Sequence, residues 1–241
     1  MKLVNVGLAR SIWLFDTNEL NPTGKSIFPE AMTWLGERYS FQTFPKSIAD
    51  VDQEKKGFLF KAGEFQTKDG AITVNFSFYG DGVVAETGSS TEDGDIFLDE
   101  LLRSAATKYG LVYRQDMIRV RQYISELTVQ LDNSLSNINP KIMLFCETLN
   151  KIFSKHNIAP FEMTGMIFSP DVLATSYKPP GLLLERKQGA PFSSNRFWTK
   201  SPFTTKEHLF ALEEFEKLLA DDRGVGTAAE SEQRRVVRLV D

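Results

Sequence analysis

The chain has 241 residues, a formal charge of −4, and 41% hydrophobic and 25% charged residues, an ordinary globular composition long enough for one large domain or two small ones. The acidic balance argues against a protein that coats nucleic acid without specificity, and the single cysteine, Cys146, excludes an internal disulfide and fits a reducing compartment. No apolar run reaches the roughly 18 residues needed to span a bilayer, so a soluble, cytoplasmic protein without membrane association is expected.

The opening MKLVNVGLARSIWLF contains Arg10 and lacks a small-residue cleavage site, so it reads as a strand over 3–14 rather than a signal peptide. LFDTNELNP follows at 14–22. Phe28, Ala31, Met32 and Leu35 then recur at helical spacing, with Pro29 suited to a first turn. Three strands come next. GFLFKAGEFQT and AITVNFSFYG are joined by a Lys68-Asp69-Gly70 turn, and VVAET follows. In the second of these Val74, Phe76 and Phe78 alternate with polar neighbours, the period of a half-buried strand. The amphipathic helix DIFLDELLRSAATKYG closes the series at Gly110.

The same order begins again. A strand over 122–131 leads into LDNSLSNINP, which matches LFDTNELNP in its apolar residue, Asp, polar stretch and Asn-Pro. Asn139 is an N-cap and Pro140 a first helical residue, ahead of a stripe of Ile142, Phe145, Leu149, Ile152 and Phe153. FEMTGMIFS, GLLLERK and NRFWTK read as strands, and TKEHLFALEEFEKLLADD as the closing helix. The pattern predicts an α+β fold made by internal duplication of a βαβββα unit. It would have mainly antiparallel sheets and helices on one face. The predicted units are 1–113 and 114–222, with sheets joined edge to edge or packed face to face. Residues 223–241 read as a partly flexible tail.

Charge is unevenly placed. Residues 81–100 carry seven acidic and no basic side chains, while 178–206 carry six basic ones, from Lys178 to Lys206, against Glu185 alone. Ser89-Ser90-Thr91-Glu92 and Thr204-Thr205-Lys206-Glu207 both have capping-box spacing. Helix-terminus physics thus accounts for Glu92, Asp93 and Asp95, with Asp99 and Glu100 expected on the solvent side. One linear run does not converge as a metal site must, so no metal and no cofactor are expected.

Local signals for catalysis are weak. His156 and His208 have no ligand neighbours at metal spacing. Cys146 lies in an apolar helix as a packed thiol. Gly24-Lys25-Ser26 resembles the end of a phosphate-binding loop, but that motif needs a glycine at position 19, which is Glu. Pro170-Asp171 followed by Glu185-Arg186-Lys187 resembles the PD-(D/E)xK signature of the restriction-endonuclease-like nucleases. That resemblance implies Asp171 and Glu185 as metal ligands and Lys187 as the group activating water in a metal-dependent nuclease. The plain alternative is a turn followed by the wet end of an edge strand.

A basic-aromatic surface is the remaining candidate. Arg186, Lys187, Arg196, Trp198 and Lys200 lie in and around a predicted hairpin, and Arg119 and Arg121 lie between the halves. Aromatic side chains fill partner pockets or stack bases, and Arg pairs with carboxylates or phosphates. The reading favoured by sequence is a non-enzymatic binding or scaffold protein, with no catalytic residue singled out. It would hold a protein partner, or a second copy as a homodimer, through a sheet face and the basic-aromatic hairpin. Nucleic-acid binding without catalysis is the further alternative.

Overall fold

The computed structural model describes residues 1–24, 28–51, 57–154, 160–171, 173–174 and 180–220. Lys25, Ser26, His156, Lys178 and the 223–241 tail lie outside the described residues. Among the described residues, eight strands form one antiparallel sheet: β1 (Lys2–Leu14), β2 (Phe58–Thr67), β3 (Gly70–Tyr79), β4 (Gly82–Thr87), β5 (Val120–Gln130), β6 (Gly165–Phe168), β7 (Leu182–Arg186) and β8 (Arg196–Ser201). The helices are α1 (Phe28–Arg38), α2 (Thr91–Tyr109), α3 (Pro140–Phe153) and α4 (Thr205–Ala220). The fold is α+β.

Strand order is β2-β3-β4-β1-β5-β8-β7-β6. Read outward from the central β1–β5 pair, each side repeats the same connectivity, so the sheets join edge to edge. Both β1 and β5 run into a single 3-10 turn. Asp16 caps the first by accepting from the Asn18 N–H, and Ser134 caps the second by accepting from Ser136.

Strand alternation sorts side chains between two faces. Trp13, Phe60, Phe76, Val83 and Ala85 face α1 and α2, which add Met32, Leu35, Phe97 and Leu98 to one core. Leu127, Val129, Leu184 and Phe197 form a second core with Leu212 and Leu219 of α4. Gly94 lets α2 approach the sheet, because a Cβ there would stand 2.9 Å from Ser11 Oγ.

The two long helices start at the same place. The Thr91 N–H donates to Thr205 Oγ1 at 3.0 Å, and the Thr205 N–H donates to Thr91 Oγ1 at 2.7 Å. Each helix thus satisfies an end amide of the other, where helix ends leave donors unpaired. Both threonines are buried, and Ser11 donates its hydroxyl to the Thr91 carbonyl at 2.8 Å.

Two details correct the sequence reading. The cap of α2 is Ser90, accepting from the Asp93 N–H, so the Ser89–Glu92 box is displaced by one residue. Thr204 and Glu207 do form the expected box on α4. The α3 stripe is not a core face: α1 buries Met32 and Leu35, whereas Phe145 of α3 is 61% and Ile152 57% exposed. The cap of α3 is nevertheless as read, with Asn139 accepting from the Lys141 N–H.

Thr91→Val and Thr205→Val should each cost about 1–3 kcal/mol of stability, the penalty for a buried donor without an acceptor. In urea unfolding the double variant should lose less than the two separate losses together, because both single variants remove the 3.4 Å contact between the two hydroxyls. Additive losses would show that the two ends do not depend on each other.

Candidate functional site

Side chains that alternate with the core residues point to the opposite face of the sheet. Leu8, Arg10 and Ile12 of β1 continue across the register to Val84 and Glu86 of β4 and to Ile124 and Glu126 of β5. Arg196, Trp198 and Lys200 of β8 extend the same face, opposite Gln130, Thr128 and Glu126. Leu183 and Ile167 follow outward. None of these side chains belongs to either core. Arg10, Lys61, Asn75, Ser77 and Glu86 help line an open cleft of about 280 Å³ on this face.

Two of the cations on the face are matched within the chain. Arg10 pairs with Glu86 at 2.5 Å across β1–β4, and Lys200 with Glu126 at 2.8 Å across β5–β8. Half-exposed Leu8 and Ile124 lie between these pairs, and Trp198 lies beyond the second, opposite Thr128.

The structure brings together only part of the predicted basic-aromatic set. Arg196, Trp198 and Lys200 share the open face. Arg119 instead pairs with Glu19 at 2.7 Å, and the Arg121 guanidinium lies 4.6 Å over the Trp13 ring on the helix side. On β5, Arg121 is nine positions from the partner of Arg196, about 30 Å along a strand. The Lys187 N–H closes the β7–β8 turn against the Arg196 carbonyl. Arg186 faces the helix side and is buried between Phe192 and Phe197.

The nuclease-like residues are set apart. Gly165 stands opposite Glu185 and Phe168 opposite Leu182, so Asp171 lies beyond the other end of that hairpin. Three strand residues alone separate them by about 10 Å, too far for one metal with ligands near 2.0–2.6 Å. Asp171 accepts from the Leu173 N–H at 2.9 Å within a local turn.

The acidic run has a different use from the one its sequence implies. Asp95 accepts from Trp13 Nε1 at 2.8 Å and from the Tyr123 hydroxyl at 2.9 Å. Asp99 accepts from the Tyr113 hydroxyl at 2.8 Å and from Arg103 at 2.7 Å. Glu100 accepts from Tyr39, Arg38 and Ser104. Glu92 reaches across to the Lys206 N–H at 3.1 Å, on the first turn of α4. Asp99 and Glu100 are therefore internal acceptors, not free solvent-side charges. Burial opposes their ionisation, but the hydrogen bonds from Arg103, Tyr113 and Gln115 to Asp99, and from Tyr39, Arg38 and Ser104 to Glu100, outweigh it and hold both below the usual carboxylate range. No chemical signal in the linear sequence paired these carboxylates with aromatic donors 14 to 82 residues away.

His208 is fully buried on α4, with Nε2 2.9 Å from the Thr199 hydroxyl and Nδ1 without a partner. Burial pushes its pKa down to about 4. Among the described residues, no three His, Cys, Asp or Glu side chains cluster as a metal site would require. No described helix is long and apolar enough to cross a membrane.

No protein-family model matches the chain, and no curated protein matches it. Among solved structures, the TBP of Methanococcus jannaschii aligns over 91% of this chain and 97% of that chain, at 13% identity and a TM-score of 0.37. A likeness of that degree decides neither fold nor role.

Two outcomes follow. Asp95→Ala strands two donors and should cost about 2 kcal/mol in urea unfolding; a loss below the error of that measurement would show that water replaces the carboxylate. An unfolded histidine takes a proton near pH 6.5 while folded His208 resists until about 4. Stability should therefore fall as pH drops through that window, by up to ~3 kcal/mol, and stay level with respect to this group below it. The urea midpoint at pH 7.5 and 4.5 reads the change, and His208→Gln should remove most of it.

Proposed function

We propose that the chain is a non-enzymatic binding protein built from two βαβββα units, 1–113 and 114–222, that arose by internal duplication. Mirrored strand order about β1–β5 and one core per unit support the duplication. The partner sits on the open face of the eight-stranded sheet, with Arg196, Trp198 and Lys200 at one end.

The observation that carries this reading is the face itself. It holds Leu8, Ile12, Val84 and Ile124 on the central strands and Trp198 and Leu183 beyond the Glu126–Lys200 pair, none of which either core uses. Protein contact surfaces combine such apolar centres with aromatic anchors, of which Trp198 is one. The cations Arg10 and Lys200 are matched by Glu86 and Glu126. Such a surface favours apolar and shape contacts over phosphate neutralisation, which needs unmatched cations. A protein partner therefore fits better than nucleic acid. The acidic run is an unsuitable mate for a basic patch of a second copy, because its carboxylates already accept hydrogen bonds within the chain.

A photo-crosslinking residue at Ser77 or Trp198 should give a discrete protein adduct in extracts of the native cell. The same residue at Thr107, on the outer side of α2, should not. Equal labelling at both places would end the proposal. Anisotropy of a labelled DNA duplex, at 50 and 200 mM salt, should show no saturable binding. Tight binding that weakens steeply with salt would favour the nucleic-acid alternative instead.

A further inference from the structure

Arg186 is a buried charge with a single, weak carboxylate partner. Its side chain is only 6% exposed, and Glu162, its one carboxylate partner, stands 3.4 Å away and is itself 41% exposed. Nη1 donates to the Phe192 carbonyl at 2.7 Å, and Nε is buried without a partner. The guanidinium is packed 4.5 Å from the Phe192 ring centre and 5.1 Å from that of Phe197. A guanidinium keeps its proton at any working pH. A buried charge costs several kcal/mol unless it is closely paired. Hydrogen bonds of this kind are normally 2.7–3.2 Å, so Glu162 is a weak mate.

Space for a better one adjoins it. A cleft of about 660 Å³ is lined by Arg186, Gln130, Ser134, Ser193, Ser194 and Asn195. That volume lies within the range of small-molecule sites. Asn195 fixes the wall, donating its amide to the Leu131 and Asn133 carbonyls at 3.2 and 2.6 Å. The Ser193 hydroxyl adds a donor to the rim. The acidic groups here are Glu162 and Asp132, and Asp132 is matched by the Met1 amino group at 2.5 Å.

We propose that this cleft binds the oxyanion of a small ligand, a phosphate monoester or a carboxylate, with Arg186 supplying the charge. Glu162 occupies the place of the ligand only loosely. On binding it retreats to water, where its exposure already lets it go, and the ligand takes the planar donor pair of the guanidinium. The site lies on the helix side of the sheet, because Arg186 stands opposite Phe197 in the β7–β8 register. It is therefore separate from the open face and stands or falls independently of a partner there.

Isothermal titration of the full chain with inorganic phosphate, and in a second arm with citrate, tests this at an ionic strength held constant with sodium chloride. At least one arm should saturate. The arm that does so identifies the phosphate or the carboxylate as the ligand group. Glu162→Gln removes the competing carboxylate and should tighten binding at least threefold. Arg186→Gln should weaken it at least tenfold. Should that variant fail to fold, Ser193→Glu, which places a negative charge at the rim, is expected to weaken binding to the same extent. No saturation in either arm, or affinity unchanged by Glu162→Gln and Ser193→Glu, would overturn the assignment.

Discussion

Everything in this fold turns on how two helices begin side by side. The N-termini of α2 and α4 meet above the central strands, and each is the positive end of a helix dipole. Two such ends repel unless acceptors and negative charge lie between them. Thr91 and Thr205 supply the acceptors reciprocally, and Glu92 supplies the charge by accepting from the Lys206 N–H. A purely apolar seam would leave these amides without partners at a buried position, which explains why hydroxyls occupy it. Ser11 ties the same seam to β1. Once this junction is fixed, α2 and α4 must lie on one face of the sheet. The other face is left to side chains that neither core needs.

The two halves share connectivity but not packing. The first is an aromatic core, in which Tyr39, Phe65 and Phe76 surround Phe97 with ring centres 5.1–6.1 Å apart. The second is mainly aliphatic and buries the charged Arg186 and Glu216, where the polar groups buried in the first are uncharged ones such as Ser11 and Thr87. Glu216 on α4 accepts from the Asp132 and Asn133 amides, and Arg186 is buried beside Phe197. Its helix α3 lies outside the core, whereas α1 is seated in its own. Buried ionisable groups and an unseated helix both reduce the stability a core can supply.

Much of the architecture was legible in the sequence because it depends on local periodicity. The β1, β3 and β4 boundaries, the Asn139 cap and the Gly110 terminus follow from patterns within a few residues of each. The edge-to-edge joining of the halves did not, since it depends on pairing between Lys2–Leu14 and Val120–Gln130, more than 100 residues apart. The exposure of the α3 stripe was not legible for the same reason. A 3.6-residue apolar period shows that a helix has a face, not that the sheet has room for it. Among the candidate residues, sequence grouped Arg119, Arg121, Arg186 and Arg196 by charge. The register then sent them to different ends and faces. The role of the acidic run as acceptor for Trp13, Tyr113, Tyr123 and Tyr39 required the tertiary fold.

Charge is distributed in opposite ways on the two sides of the sheet, and this separates two modes of recognition. On the open face each central cation has a carboxylate directly across the strand ladder, so the field beyond the surface is weak. Contact there is governed by apolar area and fit, with the ion pairs fixing register more than affinity. On the helix side Arg186 is desolvated and its carboxylate is distant, so a small anion gains from a low-dielectric setting that strengthens each hydrogen bond. The β7–β8 pairing sends Arg186 and Trp198 to opposite faces, so a ligand in the proposed cleft would not obstruct the proposed partner on the sheet.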